Sequence, residues 1–292
     1  MFTRFQRHLV QVNGIGINYL RGGAGPALLL LHGHPQTHVI WHKIAEQLAQ
    51  RYTVIAADLR GYGDSSKPVG LPDHSNYAKR VMAQDQVELM ASLGFSSFLV
   101  MGHDRGGRVA YRMALDHPEV VRKLVVLDIA PTLAMYEQTS RAFATAYYHW
   151  FFLIRPAPFP ETLLNANPDE YLRHTIGGRS AGLTPFTPAA YDEYLRCLRN
   201  PATIHGICED YRASASIDLE HERADLAAGN KINCDMRVYW GKQGVIEQCF
   251  DPLVEWQRLA RKVTGHALDC GHYVPEEAPE ALLAEVLPFF AD

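Results

Sequence analysis

The sequence has 292 residues, of which 47% are hydrophobic and 21% charged, proportions that are ordinary for a folded globular protein. Its net charge of −4 gives no basic footprint of the kind that binds nucleic acid, and no apolar run approaches the ~18 residues that suggest a membrane span. The five cysteines form no C-x-x-C pair, so we expect unpaired thiols in a reducing cytoplasm. This length accommodates one large domain, with or without an insertion.

The first third of the chain predicts alternating strands and helices. Residues 8–12 and 15–20 are predicted strands on either side of Asn13-Gly14, a dipeptide typical of a two-residue hairpin turn. The apolar runs 27–31 and 52–59 predict buried strands with a helix over 39–50 between them. A second helix is predicted over 76–93, where Met82, Leu89 and Leu93 share one face.

The alternation of strands and helices continues, stops and then resumes. Strands are predicted near 98–101 and 123–130, with a helix over 105–116 between them. Residues 132–223 are helical and aromatic in pattern, whereas 236–240 and 263–269 again predict strands, and 251–261 and 276–290 predict helices. We therefore predict an α/β fold: a mostly parallel, doubly wound sheet from residues 1–131 and 224–292, with an inserted helical cap from residues 132–223.

The most informative segment is the turn around Asp104. A predicted strand leads into Asp104, which is flanked by Gly102, Gly106 and Gly107, and a helix follows at once. This layout is typical of the nucleophile elbow of the α/β-hydrolase fold, where the side chain is usually Ser. An Asp that displaces a leaving group from saturated carbon forms an ester that water can cleave, whereas Ser would form an inert ether. The elbow thus predicts carbon–halogen or epoxide hydrolysis, with an ordinary helix N-cap as the alternative.

A base and an acid are needed to complete the reaction. His272 follows the last predicted strand, and its place after the nucleophile and the acid matches the order of the hydrolase triad. It would deprotonate the water that attacks the ester. For the acid that orients the imidazole, Asp128 lies in an apolar run, where a charge is seldom placed unless it is paired. Glu247, near the next strand, is the less favoured alternative.

Two arginines follow the candidate nucleophile in sequence, and the loop that contains His34 is a candidate oxyanion hole. Arg105 and Arg108 occupy the first turn of the elbow helix, where the helix dipole disfavours cations, so an anionic ligand such as a carboxylate is predicted to compensate. A pair of solvated or salt-bridged arginines is the alternative. Loops like the one at His34 commonly donate a backbone N–H to an oxyanion hole, with the N–H of Arg105 as the second donor.

An aromatic block at 146–152 falls in the predicted cap. A departing halide needs N–H and O–H donors in an otherwise apolar pocket, which His149, Trp150 and a tyrosine can supply. Aromatic runs in such helices are more often plain core, so the residues alone leave both interpretations open.

Taken together, these segments resemble the fluoroacetate/haloacetate dehalogenases, a branch of the α/β-hydrolase superfamily. The segments that carry the resemblance are 57–63, 102–108, 113–118, 148–150, 204–206 and 210–213. The first is widespread among hydrolases with an Asp nucleophile, whereas the D-R-G-G-R elbow with the H-W and D-Y-R segments is more specific. The resemblance implies a helical cap, no cofactor, no metal and a homodimer.

The resemblance also implies a role for each candidate residue. The implied roles are Asp104 as nucleophile, His272 as base, Asp128 as acid, Arg105 and Arg108 as ligands of the substrate carboxylate, and His149, Trp150 and Tyr211 around the halide. The chain departs from the family pattern at His34, where Phe is usual, and at Gly178, where Trp is usual. The loss of that Trp predicts a larger pocket.

These observations predict a hydrolase that converts a small 2-haloacid, such as a haloacetate, to a 2-hydroxy acid. An epoxide hydrolase is the alternative, because it shares the Asp elbow and would use two cap tyrosines as acids, such as Tyr211 with Tyr147 or Tyr148. A receptor of the hydrolase fold without catalysis is the remaining class. Such proteins tend to lose the nucleophile or the histidine, and this sequence has both.

Overall fold

A computed structural model describes residues 1–179 and 181–291 and contains one sheet of eight strands. In chain order the strands are β1 (Gln6–Val12), β2 (Ile15–Gly22), β3 (Ala27–Leu31), β4 (Thr53–Ala57), β5 (Phe98–His103), β6 (Val121–Leu127), β7 (Asp235–Gly241) and β8 (Val263–Leu268). Across the sheet their order is β1-β2-β4-β3-β5-β6-β7-β8. The pairs β1–β2 and β2–β4 are antiparallel, and every pair from β4 to β8 is parallel.

Fifteen α-helices accompany the strands in the described residues. They are α1 (Ala45–Leu48), α2 (Lys79–Ser92), α3 (Arg105–Asp116), α4 (Thr132–Glu137), α5 (Arg141–Ala146), α6 (Tyr148–Phe152), α7 (Phe159–Ala166), α8 (Pro168–Gly177), α9 (Pro188–Leu198), α10 (Pro201–Ser214), α11 (Ile217–Ala228), α12 (Val245–Cys249), α13 (Pro252–Leu259), α14 (Val274–Glu277) and α15 (Pro279–Ala291). Two short 3₁₀ helices cover His38–Trp41 and Ser75–Tyr77. None of the described helices is both long and apolar enough to cross a membrane.

Strand register brings three loops to one edge of the sheet. Leu31 at the end of β3 pairs with Gly102 in β5, and Gly102 pairs with Val126 in β6. Because these strands are parallel and end together, the loops that follow them meet at the same edge, as ligand sites of open α/β sheets do. Asp104 follows β5 and Asp128 follows β6, so both carboxylates are delivered to this edge.

The sheet is buried on both faces, which is why its central strands are continuously apolar. Side chains alternate along β3: Leu28 and Leu30 belong to the core with α1 and α15, whereas Leu29 and Leu31 belong to the core with α3. All four leucines are inaccessible to solvent. Each buried leucine contributes about 1.5–3 kcal/mol, so this strand holds the sheet edge in a fixed position.

Most predicted elements are present, with one clear exception. The hairpin turn is confirmed, because Asn13 and Gly14 both have positive φ angles, 45° and 74°, as a type I′ turn requires. The helix predicted over 39–50 is wrong: a 3₁₀ helix and the four-residue α1 replace it. A tertiary contact accounts for this, since the N–H and the ring nitrogen Nδ1 of His38 each lie 2.8 Å from Oδ1 of Asp58.

Eight helices, α4 to α11, lie between β6 and β7, and we call them the insert. Their first residue is Thr132, and the last helix continues past residue 223 to Ala228. The insert and the α3 face of the sheet share one hydrophobic cluster, in which Trp150 and Tyr211 are packed with core residues such as Val109. The insert is thus packed directly onto the edge of the sheet where the strand-end loops meet.

Candidate active site

Asp104 lies in a strained turn between β5 and α3. Its φ of 46° and ψ of −114° are sparsely populated for a residue other than glycine, and such strain is found mostly at functional positions. Small neighbours allow the turn: a Cβ at Gly102 would lie 2.5 Å from the carbonyl oxygen of Gly106. A Cβ at Gly106 would lie 2.3 Å from that of Leu31. The sequence around Asp104 therefore folds as an elbow and not as an ordinary helix start.

The carboxylate of Asp104 is buried but ionised. Its Oδ1 accepts a hydrogen bond of 2.9 Å from the backbone N–H of His34. Burial by itself would raise the pKa of this carboxyl, but the nearby His272, Arg105 and Arg108 outweigh it and hold the pKa below its ordinary range. Within the described residues, Oδ2 of Asp104 forms no hydrogen bond to the protein, which suits a nucleophile.

His272 is paired with Asp128. Nδ1 of His272 lies 2.5 Å from Oδ2 of Asp128, and the other oxygen of Asp128 accepts the N–H of Gly241 at 2.8 Å. Asp128 has a φ of 51°, because it turns sharply out of β6 directly after Leu127. The alternative acid, Glu247, instead accepts a hydrogen bond from the indole N–H of Trp240. Asp128 and not Glu247 therefore contacts the imidazole.

Arg105 is already paired with a carboxylate that sequence reasoning missed. Its Nε and Nη2 lie 2.8 and 2.9 Å from the two carboxylate oxygens of Asp210 in α10, while Nη1 has no protein partner. Asp210 also accepts the hydroxyl of Tyr62 at 2.7 Å and forms an ion pair with Lys79. The only sequence signal was the D-Y-R segment, which the resemblance included without a role for its Asp.

Arg108 is fully buried and, within the described residues, forms no ion pair. Its Nη1 donates to the carbonyl of Ala130 at 3.1 Å and to Oγ1 of Thr132 at 2.9 Å. Its guanidinium carbon lies 4.6 Å from the centre of the Trp150 ring, and Nε has no partner. A buried cation of this kind is costly unless an anion joins it.

The three residues of the predicted halide site lie together over the elbow. Trp150 and Tyr211 are fully buried, and neither the indole N–H of Trp150 nor the hydroxyl of Tyr211 has a protein partner. Burial raises the pKa of Tyr211 well above its ordinary value, so the hydroxyl keeps its proton. Burial likewise lowers the pKa of His149, whose ring packs edge-on against Tyr211 at 5.8 Å.

The side chain of His34 also belongs to this cluster, and the sequence did not predict that contact. Its ring stacks against His149 at 5.8 Å, its Nε2 lies 2.9 Å from the hydroxyl of Tyr171, and its Nδ1 is buried without a partner. Burial lowers the pKa of His34 to about 3, so the ring is neutral. The signal available in the sequence was the replacement of the usual Phe.

One group of side chains in the described residues has the composition and spacing of metal ligands, and it lies elsewhere. Glu161, His205 and Glu209 bring ligand atoms within 4.8 Å of one another. Both carboxylates are already paired with Arg212, because its Nη1 lies 2.6 Å from an oxygen of Glu161 and 2.7 Å from one of Glu209. The group is accounted for as an ion-pair network that joins α7 to α10.

Comparison with known proteins finds one fold and relatives that match over the whole chain. A family profile described as the alpha/beta hydrolase fold matches residues 26–182. A fluoroacetate dehalogenase from Burkholderia sp. is 46% identical over all of this chain and 96% of its own length. A soluble epoxide hydrolase from Corynebacterium sp. (strain C12) is 34% identical over all of this chain and 99% of its own length. The structure of an α/β-hydrolase candidate from Nostoc sp. PCC 7120 superposes with a TM-score of 0.97 at 54% identity, covering 99% of both chains.

Proposed function

Because this chain belongs to the fluoroacetate and haloacetate dehalogenases of the α/β-hydrolase fold, we propose that it hydrolyses the carbon–halogen bond of haloacetates and related 2-haloacids. The products are a 2-hydroxy acid, which is glycolate in the case of a haloacetate, and a halide ion. The residues of the site supply each function that this reaction needs, without a cofactor or a metal.

The observation that carries the proposal is the environment of Arg108. A fully buried guanidinium that forms no ion pair among the described residues, one helical turn from the ionised Asp104, favours the binding of a further anion. A substrate carboxylate fits this need, because the free Nε of Arg108 and the free Nη1 of Arg105 remain available as donors. An epoxide would leave these two donors without an anionic ligand.

In the first step, Oδ2 of Asp104 attacks the carbon that bears the halogen, and the carbon–halogen bond breaks as the ester forms. Arg105 and Arg108 hold the substrate carboxylate during this displacement. The leaving halide accepts hydrogen bonds from Trp150 and Tyr211, whose N–H and O–H groups have no protein partner, and from His149. Such donors stabilise the charge as it develops in a site from which water is excluded.

In the second step, His272 takes a proton from water, and that water attacks the carboxyl carbon of Asp104. The acid Asp128 orients the imidazole and stabilises its protonated form. The His34 N–H already donates to Oδ1 of Asp104, which becomes the carbonyl oxygen of the ester and carries the negative charge of the tetrahedral intermediate. The N–H of Arg105 is the second donor of this oxyanion hole.

We also propose a domain organisation, an oligomeric state and a cellular location for the protein. Residues 132–223 act as a cap over a core of residues 1–131 and 224–292, and the insert residues that surround Asp104 support this division. The active form is a cytoplasmic homodimer, as in the family that the sequence resembles. Light scattering during size-exclusion chromatography and fractionation of cells test these two statements.

Epoxide hydrolysis is the second candidate, because a 34% identical relative carries that name and Tyr211 has a free hydroxyl. The orientation of Tyr147 argues against it: its hydroxyl lies 3.3 Å from Nδ1 of His272, so it is directed at the base. A receptor without catalysis is disfavoured because Asp104, His272 and Asp128 are all present and the last two are in contact.

The test is halide release from chloroacetate and fluoroacetate, measured beside diol formation from styrene oxide, with the Asp104→Ala variant as the blank. We expect halide and glycolate in equal amounts from the parent protein and none from the variant. Diol formation without halide release would support the epoxide alternative. The absence of both products would contradict the proposed haloacetate hydrolysis and favour the receptor class.

A further inference from the structure

The cap contributes a third arginine to the site, on the side of the base. Arg179 follows α8 and is half-buried, with its guanidinium carbon 4.5 Å from the centre of the Tyr147 ring. The hydroxyl of the same tyrosine lies 3.3 Å from His272. In the described part of the chain, no carboxylate forms an ion pair with Arg179. An arginine stays charged at any physiological pH, so this is a permanent cation beside the reacting groups.

Arg179 also lines open space that leads to the base. A cavity of about 160 Å³ is lined by Arg179, His272, Gly178, Ala146 and residues 243–245. This volume is well above the ~10–15 Å³ that a single water requires, so it accommodates several waters or a short polar side arm. A haloacetate, which has no side arm, would leave the cavity filled with water alone.

Arg179 and Arg108 are joined only through intervening aromatic side chains. Arg108 contacts Trp150, Trp150 packs against Tyr147 at a centroid distance of 6.1 Å, and Arg179 covers Tyr147. Two aromatic rings thus separate Arg108 from Arg179. A substrate whose carboxylate is held by Arg108 would direct a side arm on its reacting carbon along the cavity past His272, toward Arg179.

We propose that Arg179 recognises a second carboxylate, and that the enzyme therefore accepts short 2-halodicarboxylates such as 2-chlorosuccinate. This proposal rests on the proposed function, because Asp104 and His272 perform the same reaction on the longer substrate. The Asp104 oxygen bonds to C2 as chloride leaves, and water then cleaves the ester. The overall change is chlorosuccinate plus water to malate, chloride and a proton.

The test compares both enantiomers of 2-chlorosuccinate with the corresponding 4-amides, which have nearly the same shape but no second charge. Arg179 is partly exposed, so the free energy of its contact with a carboxylate should lie between that of an exposed ion pair and that of a buried charge-assisted hydrogen bond. This corresponds to a difference of about tenfold in kcat/KM. For the enantiomer that the parent protein turns over faster, we expect kcat/KM to be about tenfold higher for chlorosuccinate than for its 4-amide. We expect Arg179→Gln to abolish the preference, mainly through KM, while changing chloroacetate turnover by less than about threefold.

Two further variants serve as controls. Arg179→Lys keeps the charge and should keep part of the preference, whereas Arg173→Gln removes an exposed arginine of α8 that is paired with Glu170 and should change nothing. No preference for the dicarboxylate in the parent overturns the proposal. An equal loss on chloroacetate and chlorosuccinate in Arg179→Gln also overturns it, because it indicates general attraction of anions. If chloroacetate itself is not turned over, the proposed function fails first.

Discussion

Replacement of Arg108 by leucine should impair recognition of the substrate carboxylate while leaving the protein folded. The two consequences have separate physical causes in the structure. Arg108 is available to the substrate through its free Nε, and it is attached to the protein by hydrogen bonds to Ala130 and Thr132. Loss of a charge-assisted contact costs ~1.5–3 kcal/mol, so kcat/KM for chloroacetate should fall about ten- to a hundredfold.

The effect on stability should be small because two contributions oppose each other. Without Arg108, the carbonyl of Ala130 loses a donor, at a cost of ~1–3 kcal/mol, whereas Thr132 keeps its contact of 2.9 Å with the hydroxyl of Tyr111. Removal of a buried cation that has no ion pair among the described residues offsets this cost. For a chain of this length, a net change of ~2 kcal/mol moves Tm by no more than about 8 °C.

The assay measures kcat/KM for chloroacetate and for chloroacetamide, which has a similar size and no charge. Arg108→Leu should lower the ratio of the two values, and Arg108→Lys should restore part of it, because lysine has the charge without the planar fork. Arg112→Leu is the matched control, one turn further along α3. Arg112 is paired with Asp116 and Asp225, so its loss should lower Tm and leave the ratio unchanged. If Arg108→Leu turns over chloroacetate as well as the parent does, the carboxylate is bound elsewhere.

Three further predictions concern the two half-reactions and pH. A single turnover in heavy-oxygen water should place the label in the carboxylate of Asp104, because water attacks the enzyme ester; mass spectrometry that finds label only in the product would contradict a covalent step. His272→Ala should release about one halide per site and then stop as the Asp104 ester, and sustained turnover by this variant would exclude His272 as the base. Burial raises the pKa of Glu276 from 4.5 to about 7, so the folded protein holds a proton that the unfolded chain releases. Tm should therefore fall between pH ~5 and pH ~8, and Glu276→Gln should flatten this profile; an unchanged profile in the variant would show that another group is responsible.

The sequence was sufficient to predict the features that a recognisable motif carries. The glycines around Asp104 predicted the elbow because a turn of that kind leaves no room for side chains, and the structure has a positive φ at Asp104. The order of the hydrolase triad and the charge of Asp128 within an apolar run likewise predicted that Asp128 pairs with His272, and Nδ1 of His272 lies 2.5 Å from Oδ2 of Asp128. The roles assigned to these residues remain predictions until the variants are measured.

The sequence was insufficient where two elements are joined by a contact that no motif or periodic pattern marks. Nothing near Arg105 indicates that Asp210, 105 residues later, pairs with it, because ion pairs between elements leave no periodic pattern. The helix predicted over 39–50 failed for the same reason, since the contact with Asp58 that holds the 3₁₀ helix is not local. The open space beside Arg179 also depends on the packing of several segments, so the missing Trp alone could only suggest it.

The carboxylate of Asp210 has a consequence for protein engineering. It pairs with Arg105 and Lys79 from the core and accepts the hydroxyl of Tyr62, so one residue of the insert contacts two buried cations, of which Lys79 also pairs with Asp218 at 3.4 Å. A chimera that takes its helical insert from a relative without this Asp would leave Arg105 buried without its ion pair, and a broken buried pair typically costs about 3–5 kcal/mol. Exchange of the insert between relatives should therefore succeed only when Lys79, Arg105 and Asp210 are transferred as one unit.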